Sequence, residues 1–382
     1  MSRPYTPLLF LAALGAGGIS IVPFAFLQFT WYTGPGLVKL ADVQHSALPG
    51  GQSALFYGLE GLMLVFITLH AALSLWLLGG LVRWMRTGAH TALMDDPIAN
   101  SGVLAPFISL FMTLNVIIGP VRFFVPGMAE NLQALMLPGL IGWILPWSFL
   151  MLTEIRLLRT SFEKSFDLNK IHFGWLLHPF ALAMASVTGA GIAAMAKNPD
   201  IAHTAAFLSA ISATMGAFLL VVKLNSVFTS HFAADGLPAR QFLPSFLIVI
   251  PNITLFAITA YRLGHYLEHH HGAELGAYFT GVVVLAFAFE TWYLLFGLSL
   301  LANYFRREFF TREFYVSQWG LVCPFVAYAI LSVFTFKAFV ATPIFTGAAL
   351  LFVAVAVGLF ALLLRRQLGC SGVLGQGRVE CT

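Results

Sequence analysis

Long apolar runs alternate along this chain with short polar stretches that carry most of its charge. By run length and bounding charge, ten apolar segments stand near 7–31, 55–81, 101–121, 132–153, 172–195, 204–227, 241–262, 275–303, 316–338 and 343–364. Each approaches or exceeds the ~20 mostly apolar residues that a helix needs to cross the hydrocarbon of a bilayer. Backbone polar groups in lipid must be bonded within the structure, so runs of this length predict helices. The expected fold is an all-α integral membrane protein with one ten-helix domain over residues 1–366 and a short cytoplasmic tail over 367–382.

Composition supports this reading. With 59% hydrophobic and 9% charged residues and a mean hydropathy of +0.86, the chain has too little polar surface to cover a soluble globule of its length. No basic run is dense enough to suggest nucleic acid. The first run follows Arg3 and contains the small residues Gly15, Ala16, Gly17 and Gly18, as a secretory signal does. It is longer than the ~7–15 apolar residues of such a signal and reads as a retained span. Three cysteines, Cys323, Cys370 and Cys381, are an odd number without metal-ligand spacing and define no disulfide framework.

Charge sets the topology. Of the 20 Lys and Arg residues, Lys39, Arg122, Lys197, Arg262 and Lys337 fall on one side of the alternating connections and the other 15 on the opposite side. Because Lys and Arg concentrate on the cytoplasmic face, both termini are expected there, in a multi-pass protein of the cell membrane.

Prolines sort by span parity. Pro23, Pro106, Pro179, Pro244, Pro251 and Pro324 lie in odd spans, whereas even spans lack internal prolines except for Pro138 and Pro146 in the fourth. A proline in a helix interior removes a hydrogen bond and kinks the helix, which membranes tolerate where neighbours or a wet cavity satisfy the freed carbonyl. Five hairpins are therefore expected, with kinked odd members inside and straighter even members outside. Phenylalanine follows proline at Phe24, Phe107, Phe180 and Phe325, with a looser Pro244-Ser245-Phe246. These rings are candidate occluders of a path between the inner helices, against the alternative that they pack or face lipid.

Several stretches resemble the tellurite-resistance/dicarboxylate transporter family, which includes slow anion channels, malate permeases and sulfite pumps. They are Leu237-Pro238-Ala239-Arg240-Gln241-Phe242-Leu243-Pro244-Ser245-Phe246 running into Ile250-Pro251-Asn252, Ser317-Gln318-Trp319 followed by Cys323-Pro324, and the glycine-rich first span. The resemblance implies five hairpins in quasi-fivefold order around a pore, usually in a homotrimer embedded in the lipid bilayer, with odd helices lining each protomer's conduit. It also implies a small anion as substrate, no enzymatic activity and a gating phenylalanine four residues after the tryptophan. That position here is Cys323, so this chain departs from the aromatic gate.

Ionisable residues within spans are functional candidates by default. Glu290 lies mid-span in the eighth segment, Glu60 and His70 lie in the second, and His178 precedes Pro179 in the fifth. For the even-span residues a packing role competes with proton coupling at Glu290, while His178, on an inner span, is the better candidate for touching the conduit, against the alternative of a hydrogen-bonded structural histidine. His265, His269, His270 and His271, with Glu268 and Glu274, crowd the connection after the seventh span. Spacing of three to four residues is compatible with a metal site, but no further ligand pattern accompanies it, and the stretch reads as a polar loop. No cofactor is expected. Three functions remain open: passive or gated anion passage, proton-coupled export of sulfite or a carboxylate, and a redox subunit using His70, His172 and His178 for haem or quinone.

Overall fold

A computed structural model of the chain describes residues 5–311 and 313–370. Arg3, Arg312, Arg378 and Cys381 lie outside the described residues. Among the described residues, ten helices are long and apolar enough to cross a membrane. They are α1 Pro7–Trp31, α2 Gly50–Trp84, α3 Asn100–Phe124, α4 Leu132–Glu163, α5 Phe173–Met195, α6 Pro199–Phe232, α7 Arg240–His271, α8 Gly276–Leu300, α9 Val316–Ala338 and α10 Pro343–Gly369. The even helices α2, α4 and α6 extend several residues beyond their sequence-predicted ends, while the order and number agree.

Consecutive helices pack as antiparallel pairs, α1 with α2 through α9 with α10. The odd helices also pack on one another in a closed order: α1 on α3, α3 on α5, α5 on α7, α7 on α9, and α9 back on α1. Burial follows the same division. Between 61% and 100% of the most apolar stretch of each odd helix is buried, against 22% to 39% for each even helix. Odd helices therefore form an inner layer, and even helices carry exposed side chains such as Trp76, Leu145, Phe218, Leu285 and Leu351 on the outer surface, where hydrocarbon rather than water is the compatible solvent.

Close approach in the inner layer explains the glycines of α1. A Cβ at Gly15 would stand 3.2 Å from Val322 Cγ1, and one at Gly18 would stand 3.0 Å from Val326 Cγ1. Both contacts are with α9, so the backbones of the first and ninth spans meet where larger residues would push them apart.

The prolines act differently from the interior kinks expected of them. Pro106, Pro179, Pro251 and Pro324 lie in the first turn of the α-helical part of their spans, each preceded by a 3₁₀ segment. The first N–H groups of an α-helix have no partner within that helix, so proline removes no α-helical bond there. These residues mark where a tight 3₁₀ lead-in becomes α-helix. Pro23 lies inside the helical stretch Phe10–Phe26, and Pro244 lies within a 3₁₀ stretch, Arg240–Ile248.

Candidate anion pathway

Two cavities lie within the ring of odd helices. The larger encloses about 840 Å³ and is lined from all five odd spans, with a few residues from their connections and the start of α4. The smaller, about 370 Å³, is lined by residues at the N-terminal ends of the same five spans. Phe180 and Cys323 belong to both linings. They stand in the wall between the cavities.

Helical periodicity selects the lining side chains. On α9 they are Cys323, Val326, Ala327, Ile330 and Phe334, and on α5 they include Phe180, Met184, Val187, Thr188 and Gly191. These recur every three or four residues, which is one face of a helix. Phe24 also lines the larger cavity. Phe107, Phe246 and Phe325 line neither of the two. Phe325 lies 6.0 Å from Phe352 of α10 with rings nearly parallel, and Phe246 packs between Phe173 and Tyr293 at 4.6 and 5.4 Å. Phe107 is a partly buried packing residue.

Among the prolines, Pro251 lines the larger cavity while Pro23, Pro106, Pro179, Pro244 and Pro324 line neither. His178 also points elsewhere. Its Nδ1 donates to Glu154 of α4 at 2.6 Å, and its Nε2 lies 3.3 Å from Asn100 Oδ1. All three are fully buried. Lys223 of α6 is buried beside them, with Nζ 3.7 Å from the centre of the Trp175 ring. This polar cluster ties α3, α4, α5 and α6 together behind the cavity wall.

Glu290 is fully buried on α8 and accepts a hydrogen bond from Thr254 Oγ1. Thr254 lines the larger cavity, so the carboxyl stands one residue behind its surface. Glu60 pairs with His45 at 3.1 Å. His70 donates from Nδ1 to the Ala13 carbonyl at 2.7 Å, with Nε2 2.9 Å from Thr113 Oγ1. It thereby joins α2 to α1 and α3. His172 stacks on Phe242 at 3.8 Å, lines the smaller cavity and accepts from the Gly174 N–H through Nδ1. Burial, and secondarily the charge of His231, lower its pKa to about 4.

The middle of the larger cavity offers few free hydrogen-bond donors. Asn115 spends its amide on Phe111 O at 3.0 Å and Thr188 Oγ1 at 2.7 Å, Thr188 donates to Met184 O at 2.8 Å, and the Thr254 hydroxyl turns to Glu290 and Ile250 O. Charge appears in the C-terminal part of α7 and just beyond α5, where Arg262 and Lys197 line the cavity with His265, His269 and His270. No carboxylate lines either cavity among the described residues. His269 and His270 donate to the carbonyls of Ala194 and Ala196 at 3.1 and 3.0 Å, and His265 pairs with Glu268 at 2.9 Å. These histidines fasten the end of α7 to the end of α5. No group of three or more His, Cys, Asp or Glu side chains suited to a metal ion occurs among the described residues.

Sequence reading placed Arg262 only as a topological charge and did not single out Thr254. The available signal was periodic: 251, 254, 258 and 262 share the face that begins at Pro251, and a lone cation closes it.

A family model described as voltage-dependent anion channel matches residues 4–368 of the chain. No curated protein matches it.

Proposed function

This chain belongs to the voltage-dependent anion channel family, whose members carry anions across membranes, and from that premise we propose that each protomer conducts a small anion through the two cavities. Odd helices in quasi-fivefold order surround the conduit, and Phe180 with Cys323 forms its narrow point. One observation carries this reading: five helices contribute to a common lining that holds two permanent cations and no carboxylate among the described residues. Such a lining admits negative charge, and its donor-poor middle avoids the tight binding that would stop conduction. Liposomes containing the purified protein are expected to pass chloride or nitrate down a gradient while empty liposomes do not; equal rates in the two would overturn the proposal.

A second reading, proton-coupled export of sulfite or a carboxylate, is favoured by Glu290 standing behind the cavity-lining Thr254. It requires that an imposed pH gradient drive anion movement without an anion gradient, and that Glu290→Gln abolish that drive. The same proposal places the termini in the cytoplasm, supported by the distribution of basic residues, and the protomer in a homotrimer within the cell membrane. A reporter fused after Thr382 that works only outside the cytoplasm would reverse the orientation, and mass measurement in detergent tests the trimer.

A further inference from the structure

We infer that Arg262 forms a docking site for a small oxyanion, held through two oxygens, in the larger cavity where the C-terminal part of α7 passes Val187 and Gly191 of α5. This rests on the reading that anions traverse that cavity and adds where, and in what chemical form, they pause.

Arg262 makes no ion pair among the described residues. Its one protein hydrogen bond there runs from Nη1 to the Val187 carbonyl at 2.7 Å. That bond anchors one corner of the guanidinium across to α5 and leaves the Nε–Nη2 edge without a protein partner among the described residues. Gly191 provides the necessary room, since a Cβ there would stand 3.0 Å from Nη1 and 3.4 Å from Cζ.

A guanidinium edge presents two parallel N–H groups, the geometry that gives each N–H its own oxygen of a carboxylate, nitrate or sulfite along a straight bond, whereas a halide has to bridge both N–H groups through bent ones. Position adds to chemistry. Lys197 lines the same side of the cavity and no carboxylate lines it among the described residues, so the local potential favours a negative guest. Beyond Arg262 toward Cys323 the free donors run out, which makes this edge the strongest anion contact along the larger cavity. Arg262 is mostly but not wholly buried beside this cavity, so it keeps part of its hydration, and the guest is retained loosely enough to move on.

The test uses the full chain and two independent measurements. In liposomes at constant ionic strength, initial rates are measured against concentration for nitrate, acetate and chloride. Arg262→Lys retains a charge but loses the fork, so the half-saturating concentrations of nitrate and acetate should rise about tenfold, the order expected for losing one charge-assisted contact, while chloride changes less than about threefold. Arg262→Gln should raise all three.

Separately, wild-type protein in detergent is treated with phenylglyoxal, and modification of Arg262 is followed by peptide mass. Nitrate should protect Arg262 at concentrations where chloride does not. If wild type passes anions but Arg262→Lys shifts nitrate and chloride alike, or neither, the site is refuted. Equal protection by nitrate and chloride also refutes it. The second measurement needs no variant to fold, and it decides on the site even if the wild type moves no anion, an outcome that would instead remove the proposed function.

Discussion

Phe180 on α5 and Cys323 on α9 are the two side chains that both cavities share. One is an aromatic ring and the other a small thiol, so the wall they contribute to is bulky on one side and slight on the other.

Replacing Phe180 by alanine should therefore join the cavities and raise anion flux on the order of tenfold, the change that ~1.4 kcal/mol of barrier makes in a rate. Cys323→Phe should lower flux by a similar factor, because a second ring narrows and dewets an apolar passage. Both are read by liposome flux alongside thermal unfolding, since overpacking a buried site costs ~1–3 kcal/mol by itself. Well-folded Cys323→Phe protein with unaltered flux would remove residue 323 from the narrow point.

Phe325 and Phe246 give the opposite expectation. Each packs between helices rather than on a cavity, Phe325 against Phe352 and Phe246 against Phe173 and Tyr293. Truncation to alanine should cost ~3–5 kcal/mol of stability, the range for buried aromatics, without raising flux per folded molecule. Increased flux in either variant at normal stability would return these rings to the pathway.

Proline parity separated inner from outer spans because four of the five inner spans, α3, α5, α7 and α9, carry a proline where a 3₁₀ lead-in becomes α-helix, a position that costs no α-helical bond. Which way each phenylalanine points was not legible. Successive residues on a helix turn by about 100°, so Cys323 and Phe325 face nearly opposite ways, and only one of them reaches the lumen. The same step separates His178 from Phe180 and sends the histidine to Glu154. In α3, α5 and α9 a proline-phenylalanine pair thus marks the start of the α-helical part but not its lumen face, whereas Pro23-Phe24 lies late in α1. Arg262 was hidden for another reason: a cation at the end of an apolar run looks like a boundary, and only the fold shows that this one looks inward.

Thr254 and Glu290 bear on whether transport is coupled. Thr254→Val deletes the one donor that Glu290 has among the described residues, leaving a buried carboxyl without a partner. A loss of ~1–3 kcal/mol in stability is expected from an unsatisfied buried polar group. Glu290→Gln should be milder, since the amide still accepts from Thr254. Thermal unfolding of the two variants should rank them in that order. The opposite order would mean that Glu290 is held by something other than this contact.

The last prediction concerns acid. His172 lines the smaller cavity, stacks on Phe242 and accepts from Gly174 through Nδ1, and burial together with His231 lowers its pKa to about 4. In an unfolded chain the same imidazole titrates near ~6.5. Between these values the unfolded state binds a proton that the folded state refuses, so acid favours unfolding across that window. The stabilisation from a neutral His172 is complete above pH 6.5 and is lost as pH falls through about 4. Phenylalanine at this position keeps a ring against Phe242 and does not titrate; it also gives up the acceptor for Gly174, a fixed loss at every pH. The unfolding temperature of His172→Phe relative to wild type should consequently rise as the buffer is taken from pH 7 to pH 4.5. Because the imidazole stays uncharged in the folded protein over most of that range, the variant's flux should keep the wild-type dependence on pH between 7 and 5. A stability difference that does not change with pH would show that His172 is no more reluctant to take a proton in the folded chain than in the unfolded one.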